Sequence, residues 1–123
     1  MPLILVVDDE LSARLFLRNV LQGAGHEVHQ AANGVEAMAQ IRRTAFDLVI
    51  LDLIMPEQEG LETIQELRRE FPLLKVIAIC GSFLRSSPQL MLEIAELMGA
   101  TATLLKPFSA DEALHTVQSV LES

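Results

Sequence analysis

The chain carries one cysteine, Cys80, and neither tryptophan nor tyrosine. A lone thiol excludes an internal disulfide and any zinc site built on several cysteines. Five phenylalanines are the whole set of large aromatic rings, which argues against a platform that stacks successive nucleobases. Basic residues are also scarce: 9 Lys and Arg stand against 17 Asp and Glu, for a net charge of −8. That balance leaves no cationic footprint for nucleic acid or for an anionic membrane. No apolar run approaches the roughly 20 residues of a membrane span. The opening residues, Met1-Pro2-Leu3-Ile4-Leu5-Val6-Val7-Asp8, lack the basic start and cleavage site of a signal peptide. The expectation is a cytoplasmic chain.

What is present describes one folded unit. Half of the 123 residues are apolar and 21% are charged, enough for a hydrophobic core without staples and too apolar for overall disorder. With no repeat and no low-complexity linker, a single domain over 1–123 is expected. Short apolar runs alternate with longer amphipathic stretches. Leu3 to Val7, Leu48 to Leu51, Val76 to Cys80 and Ala102 to Leu105 read as strands, with a weaker one from Glu27 to Ala31. Strands buried on both faces of a parallel sheet show such unbroken apolar runs.

Helical spacing fills the intervals. Ser12 to Ala24 places Ala13, Phe16, Leu17, Val20, Leu21 and Ala24 on one side, with Gly25 where a C-terminal cap belongs. Gly34 to Arg43 carries Val35, Ala37, Met38 and Ile41. Leu61 to Phe71 stops at Pro72. Pro88 to Met98 closes on Gly99. Ala110 to Leu121 follows Ser109, which forms a capping box with Glu112. Strand and helix thus alternate five times. Right-handed crossovers put helices on both faces of one parallel sheet, a three-layer α/β fold, for which the doubly wound order 2-1-3-4-5 is the commonest five-strand solution.

In such sheets ligands gather at the carboxyl ends of the strands. The first strand ends in Asp8-Asp9 and the third in Asp52, and the 2-1-3-4-5 order makes those strands neighbours. Three converging carboxylates repel one another and call for positive charge. Lys106, after the fifth strand, supplies one. Oxygen ligands without His or Cys suit a hard divalent cation, usually Mg²⁺, which shares its shell readily with phosphate. Acids, a hard metal and a lysine together suggest phosphoryl chemistry. Any one of these residues alone reads as structure: Asp9 as a helix N-cap, Lys106 as a solvated strand-end lysine. It is their coincidence at adjacent strand ends that favours a site.

Along its length, from Leu3 to Leu121, the chain resembles the receiver domains of two-component response regulators. The resemblance rests on Val-Val-Asp8-Asp9-Glu10, Gly25-His26-Glu27-Val28 and Ala32-Asn33-Gly34-Val35-Glu36-Ala37. It rests also on the run from Asp47 through Asp52 to Met55-Pro56 with Gly60, and on Lys106-Pro107-Phe108. It implies a flavodoxin-like fold in which Asp52 accepts a phosphoryl group from a sensor histidine kinase or a histidine phosphotransfer protein. It implies Mg²⁺ held by Asp8, Asp9, Asp52 and the backbone carbonyl of Ile54, with Lys106 pairing with the phosphoryl group and a cis bond before Pro107. The only catalysis implied is Mg²⁺-dependent phosphorylation and dephosphorylation of the chain itself.

Two positions depart from the family. Cys80 stands at the end of the fourth strand, where Ser or Thr usually offers a hydroxyl to the phosphoryl group, and a thiol is a weaker donor. Thr103 stands where Tyr or Phe usually swings inward on activation. Cys80 also admits a redox reading, against which stands its neighbourhood of carboxylates; a small core residue is the simpler account. The stretch Ser82 to Ser87 is slightly long for the family, with Phe83 and Leu84 as a lid over the site or a fold onto the fourth helix.

Helical geometry places Leu15 opposite the core stripe of the first helix, where the resemblance implies docking of the kinase or phosphotransfer partner. Leu92 falls on the Glu93 and Glu96 side of the fourth helix, where the resemblance implies an output or dimer surface. If the chain is complete, its output passes through a downstream protein target and not through DNA or a membrane. The rival reading is a receiver-shaped binding module that signals without phosphate, favoured by Cys80 and Thr103. A phosphatase of the haloacid dehalogenase type would need a second Asp two residues after the nucleophile, where Ile54 stands.

Overall fold

The structure, a computed structural model, describes residues 1–54, 60–81 and 87–123. Five strands, β1 (Leu3–Val7), β2 (Glu27–Ala31), β3 (Leu48–Asp52), β4 (Lys75–Cys80) and β5 (Ala102–Leu105), alternate with five helices. These are α1 (Leu11–Gly23), α2 (Gly34–Arg43), α3 (Gly60–Glu70), α4 (Pro88–Leu97) and α5 (Ala110–Glu122). All strand pairs are parallel and the order is β2-β1-β3-β4-β5, the doubly wound order expected as the commonest. Two apolar layers cover the sheet. Leu5, Val7, Val49, Leu51, Val76 and Ala78 face α2, α3 and α4 on one side. Ile4, Val6, Leu48, Ile50, Ile77 and Ile79 face α1 and α5 on the other. Successive side chains of a strand point to opposite faces, so a strand covered on both sides must be apolar throughout. β3 is buried along its whole length and apolar from Leu48 to Leu51, with Asp52 at its carboxyl end.

Local signals set the element ends. Asn33 accepts the Glu36 N–H at 2.9 Å while the Glu36 carboxylate accepts the Ala32 N–H at 3.0 Å, which starts α2 just past β2. Ser109 and Glu112 form the expected reciprocal box at α5. Gly25, at φ +94°, takes the left-handed conformation that ends α1. Gly60 is required for a different reason. Its N–H donates to the Leu53 carbonyl at 3.0 Å, and a Cβ there would lie 2.3 Å from the Leu53 Cα and 2.6 Å from the Asp52 carbonyl oxygen. Only glycine lets α3 begin this close to the end of β3.

Several surface expectations are corrected. Leu92, expected on an output or dimer surface, is only 8% exposed and belongs to the core between α4 and the sheet. Ala95, fully buried at the centre of that contact, has no bulk to hold the helix away, so Leu92 on the flank is drawn in. The apolar side chains that α4 presents outward are Leu90 and Leu97, the latter 89% exposed. On α1, Leu15 is half-buried rather than opposite the core. The helix packs against β1, β2 and α5 together, so its buried arc is broader than a single stripe. Phe16, assigned to the core by spacing, is 43% exposed and tilts against Phe108 with ring centroids 6.3 Å apart. Val35 and Ala24 are exposed as well. Met55, Pro56, Phe83 and Leu84 lie outside the described residues, and with them both readings of the stretch before α4, a lid or a fold onto that helix.

Candidate functional site

β1 and β3 are adjacent, with Val7 level with Leu51, so the residues that follow them emerge side by side. Asp8 and Asp52 are both buried. Lys106 reaches in from beyond β5 and donates from one Nζ to Asp8 Oδ2 and to Asp52 Oδ2, each at 3.1 Å. Lys106 is placed for this because its own N–H donates to the Cys80 carbonyl at 2.9 Å, extending the β4–β5 ladder by one residue. The Lys106–Pro107 peptide is cis, as the resemblance implies.

The second oxygen of each buried acid is held by backbone. Asp8 Oδ1 accepts the Glu10 N–H at 2.9 Å, and Asp52 Oδ1 accepts the Ile54 N–H at 3.0 Å. Each acid thereby turns the chain sharply just past its strand. Asp9 is exposed, yet carboxylate oxygens of Asp8, Asp9 and Asp52 lie within 4.8 Å of one another. Two buried acids and one open to solvent form a one-sided cup of hard oxygen donors. That donor set and its open side fit a divalent cation that keeps part of its water shell. The Ile54 carbonyl, implied as a further ligand, belongs to the residue whose N–H caps Asp52.

Electrostatics follow the geometry. Burial pushes Asp52 up, the Ile54 N–H opposes this, the Asp8 charge adds to it, and Lys106 offsets part, leaving the carboxyl raised to about 6. Burial acts against the Lys106 ammonium, but the Asp52 and Asp8 charges outweigh it and hold its pKa above the ordinary value. Among the described residues, the metal-free cup is therefore short of positive charge even with its lysine in place.

Cys80 is buried at the end of β4 beside this cluster. Its thiol donates to the Gly81 carbonyl, with 3.5 Å between sulfur and oxygen. Burial raises its pKa, Asp52 raises it further, and Lys106 opposes. A protonated thiol committed to its own backbone fits the core-residue account, not a reactive redox centre. Thr103, level with Ala78 of β4, is half-buried and has no aromatic ring to move.

Sequence reasoning overlooked two features here. A groove of about 340 Å³ runs from Asp8 and Lys106 between α1 and the turn before α5, with Phe16 and Phe108 along it. Its signal was Phe16 itself, at the boundary of the helical stripe. The other is Arg14, whose Nη1 donates to the Asp8 carbonyl at 2.6 Å; only an intervening helix turn separates it from the acids in sequence. Two wider grooves at the opposite end of the sheet, bordered by Phe46, Leu73 and Leu74, do not reach the acidic cluster.

Comparison with known proteins places this cup in context. Residues 4–118 match the family model described as response regulator receiver domain. The chain is 34% identical over 116 residues to the chemotaxis protein CheY of Listeria monocytogenes, covering 94% of each. It is 35% identical over 118 residues to the transcriptional regulatory protein ZraR of Klebsiella oxytoca, covering 96% of this chain but only 26% of ZraR. The chain thus spans about a quarter of the length of that regulator. Among solved structures, the receiver domain of NtrX from Brucella abortus superposes with a TM-score of 0.91 at 32% identity, over 98% of each chain.

Proposed function

This chain belongs to the response regulator receiver domain family, and on that premise we propose that Asp52 is its phosphoacceptor. The observation that carries the proposal is the single lysine nitrogen shared at 3.1 Å by two buried carboxylates, beside a third that is open to solvent. Receiver domains act in two-component signalling between histidine kinases and downstream effectors. For this chain the donor is proposed to be the phosphohistidine of a sensor kinase or phosphotransfer protein. An Asp52 carboxylate oxygen forms a bond to phosphorus as the P–N bond breaks and the imidazole leaves. Oδ1 is held by the Ile54 N–H, so the oxygen that faces Lys106, Oδ2, is the candidate nucleophile. Lys106 then moves its hydrogen bond from that oxygen to the incoming phosphoryl oxygens.

Asp8, Asp9 and Asp52, with the Ile54 carbonyl, are the residues proposed to hold Mg²⁺. When bound, the ion neutralises phosphoryl oxygens and offsets the surplus negative charge of the cup. The donor partner is proposed to approach over α1, where Phe16 borders the groove beside the acids and the half-buried Leu15 precedes it on the helix. No helix among the described residues is long and apolar enough to cross a membrane, and a cytoplasmic setting for this exchange is part of the proposal.

Incubation with MgCl₂ and a small phosphodonor, followed by intact mass, tests this directly. The expected product carries one added phosphoryl group, absent from Asp52→Asn and absent when the metal is chelated. Wild-type protein that takes up no phosphoryl group under any of these conditions overturns the proposal.

A further inference from the structure

Three carboxylates form the cup, but they are not held alike. Both oxygens of Asp8 and both of Asp52 have partners: Lys106 and one backbone N–H in each case. Asp9 has no hydrogen bond or ion pair to its carboxylate among the described residues. Its aim at the cup is set by the backbone that carries it. On the N-terminal side, the Asp8 N–H donates to the Ala31 carbonyl at 3.1 Å. The Asp8 carbonyl accepts from Arg14 Nη1 at 2.6 Å. That carbonyl is one edge of the planar Asp8–Asp9 peptide, whose other edge bears the Asp9 Cα. A donor fixed on the oxygen therefore fixes the plane from which Asp9 projects.

Arg14 is itself braced. Its Nε lies 3.4 Å from Gln30 Oε1 on β2, and the Gln30 carbonyl accepts from Gln40 Nε2 of α2 at 2.7 Å. The guanidinium thus ties the loop after β1 to the edge strand, which Gln40 joins in turn to α2, and a charged donor on a carbonyl is among the stronger hydrogen bonds.

We propose that Arg14 is a positioning residue for the metal site, acting through the Asp8–Asp9 peptide to aim Asp9 at the cation. The proposal rests on the phosphoacceptor reading above. It has a signature that simple charge does not share. Arg14 is a cation beside a cation site, so on electrostatics alone its removal strengthens Mg²⁺ binding. Removal of a positioning group weakens it.

Calorimetric titration of the metal-free protein with MgCl₂ separates the two. For Arg14→Gln the Mg²⁺ dissociation constant is expected to rise about tenfold, the usual scale for loss of a group supporting a metal ligand. Arg14→Lys, which keeps a cationic donor, regains part of the loss. In phosphodonor labelling, the Mg²⁺ concentration for half-maximal rate rises in Arg14→Gln, while the rate at saturating Mg²⁺ stays within about twofold of wild type. Thermal unfolding in metal-free buffer establishes that each variant is folded. Gln30→Leu, which removes only the brace, is the second variant and is expected to shift the dissociation constant in the same direction by less. Folded Arg14→Gln or Gln30→Leu protein that binds Mg²⁺ as tightly as wild type, or more tightly, overturns the proposal. A wild-type chain that binds no Mg²⁺ instead overturns the phosphoacceptor reading on which it rests.

Discussion

At the scale of single residues, Asp52 is held in a state that favours its proton. With its carboxyl raised to about 6 from an ordinary 3.8, the folded chain binds that proton more tightly than the unfolded chain between those values. Ionisation of Asp52 therefore costs stability as pH rises through that window, and the loss is complete above it. In metal-free buffer, wild-type protein is expected to be less stable at pH 7.5 than the Asp52→Asn variant, with the gap narrowing at pH 5. Urea unfolding at the two pH values measures this; a gap that widens on acidification contradicts it. Cys80 supplies a second residue-level expectation. Buried and kept protonated, its thiol should react with a disulfide reagent far more slowly in the native than in the unfolded chain. Cys80→Ser should accept phosphate faster, because a hydroxyl is the better donor to phosphoryl oxygen; equal rates would show that this position does not touch the group.

At the scale of elements, α4 shows how packing overrides periodicity. Angle alone puts Leu92 next to Glu96, on the acidic side of the helix. Ala95, at the middle of the buried stripe, lets the helix settle close to β4 and β5, and Leu92 goes under with it. Leu92→Ala should therefore cost about 2–5 kcal/mol, the range for emptying a buried leucine site. Leu97→Ala, at an exposed position of the same helix, should stay within about 0.5 kcal/mol of wild type. Chemical denaturation of both variants reads the contrast, and equal losses would return Leu92 to the surface. On α1 the same cause has the opposite outcome for Phe16. A helix seated against β1, β2 and α5 presents its boundary residues to whatever gap is left, and here the gap is the groove beside Asp8 and Lys106.

At the scale of the whole molecule, the sheet concentrates negative charge at one end and leaves it incompletely balanced. A cation that binds the folded chain alone must raise its stability. With MgCl₂ at about a hundred times its dissociation constant, the gain should be about 2.7 kcal/mol, read as a rise in melting temperature over the chelated protein. Asp9→Ala should retain the metal-free melting temperature, since Asp9 is exposed and has no partner among the described residues, and should lose most of the rise. A rise of wild-type size in that variant would remove Asp9 from the ligand set.

The linear chain by itself determined the α/β alternation and the identity of the strand-end residues, and it left 2-1-3-4-5 as the commonest strand order open to them. These follow from local pattern: unbroken apolar runs need cover on both faces, and crossover handedness leaves few ways to provide it. It also named Asp8, Asp9, Asp52 and Lys106 as candidates, because in a doubly wound sheet strand ends meet at one edge. Only the tertiary structure decided how they meet, with one lysine nitrogen serving two acids while the third stays open to water. Only it decided which apolar side chains remain outside, because that depends on how closely each helix seats, and a small residue at a contact has no periodicity of its own. Arg14 belongs to the same class: its partner is a backbone carbonyl, and every residue has one of those.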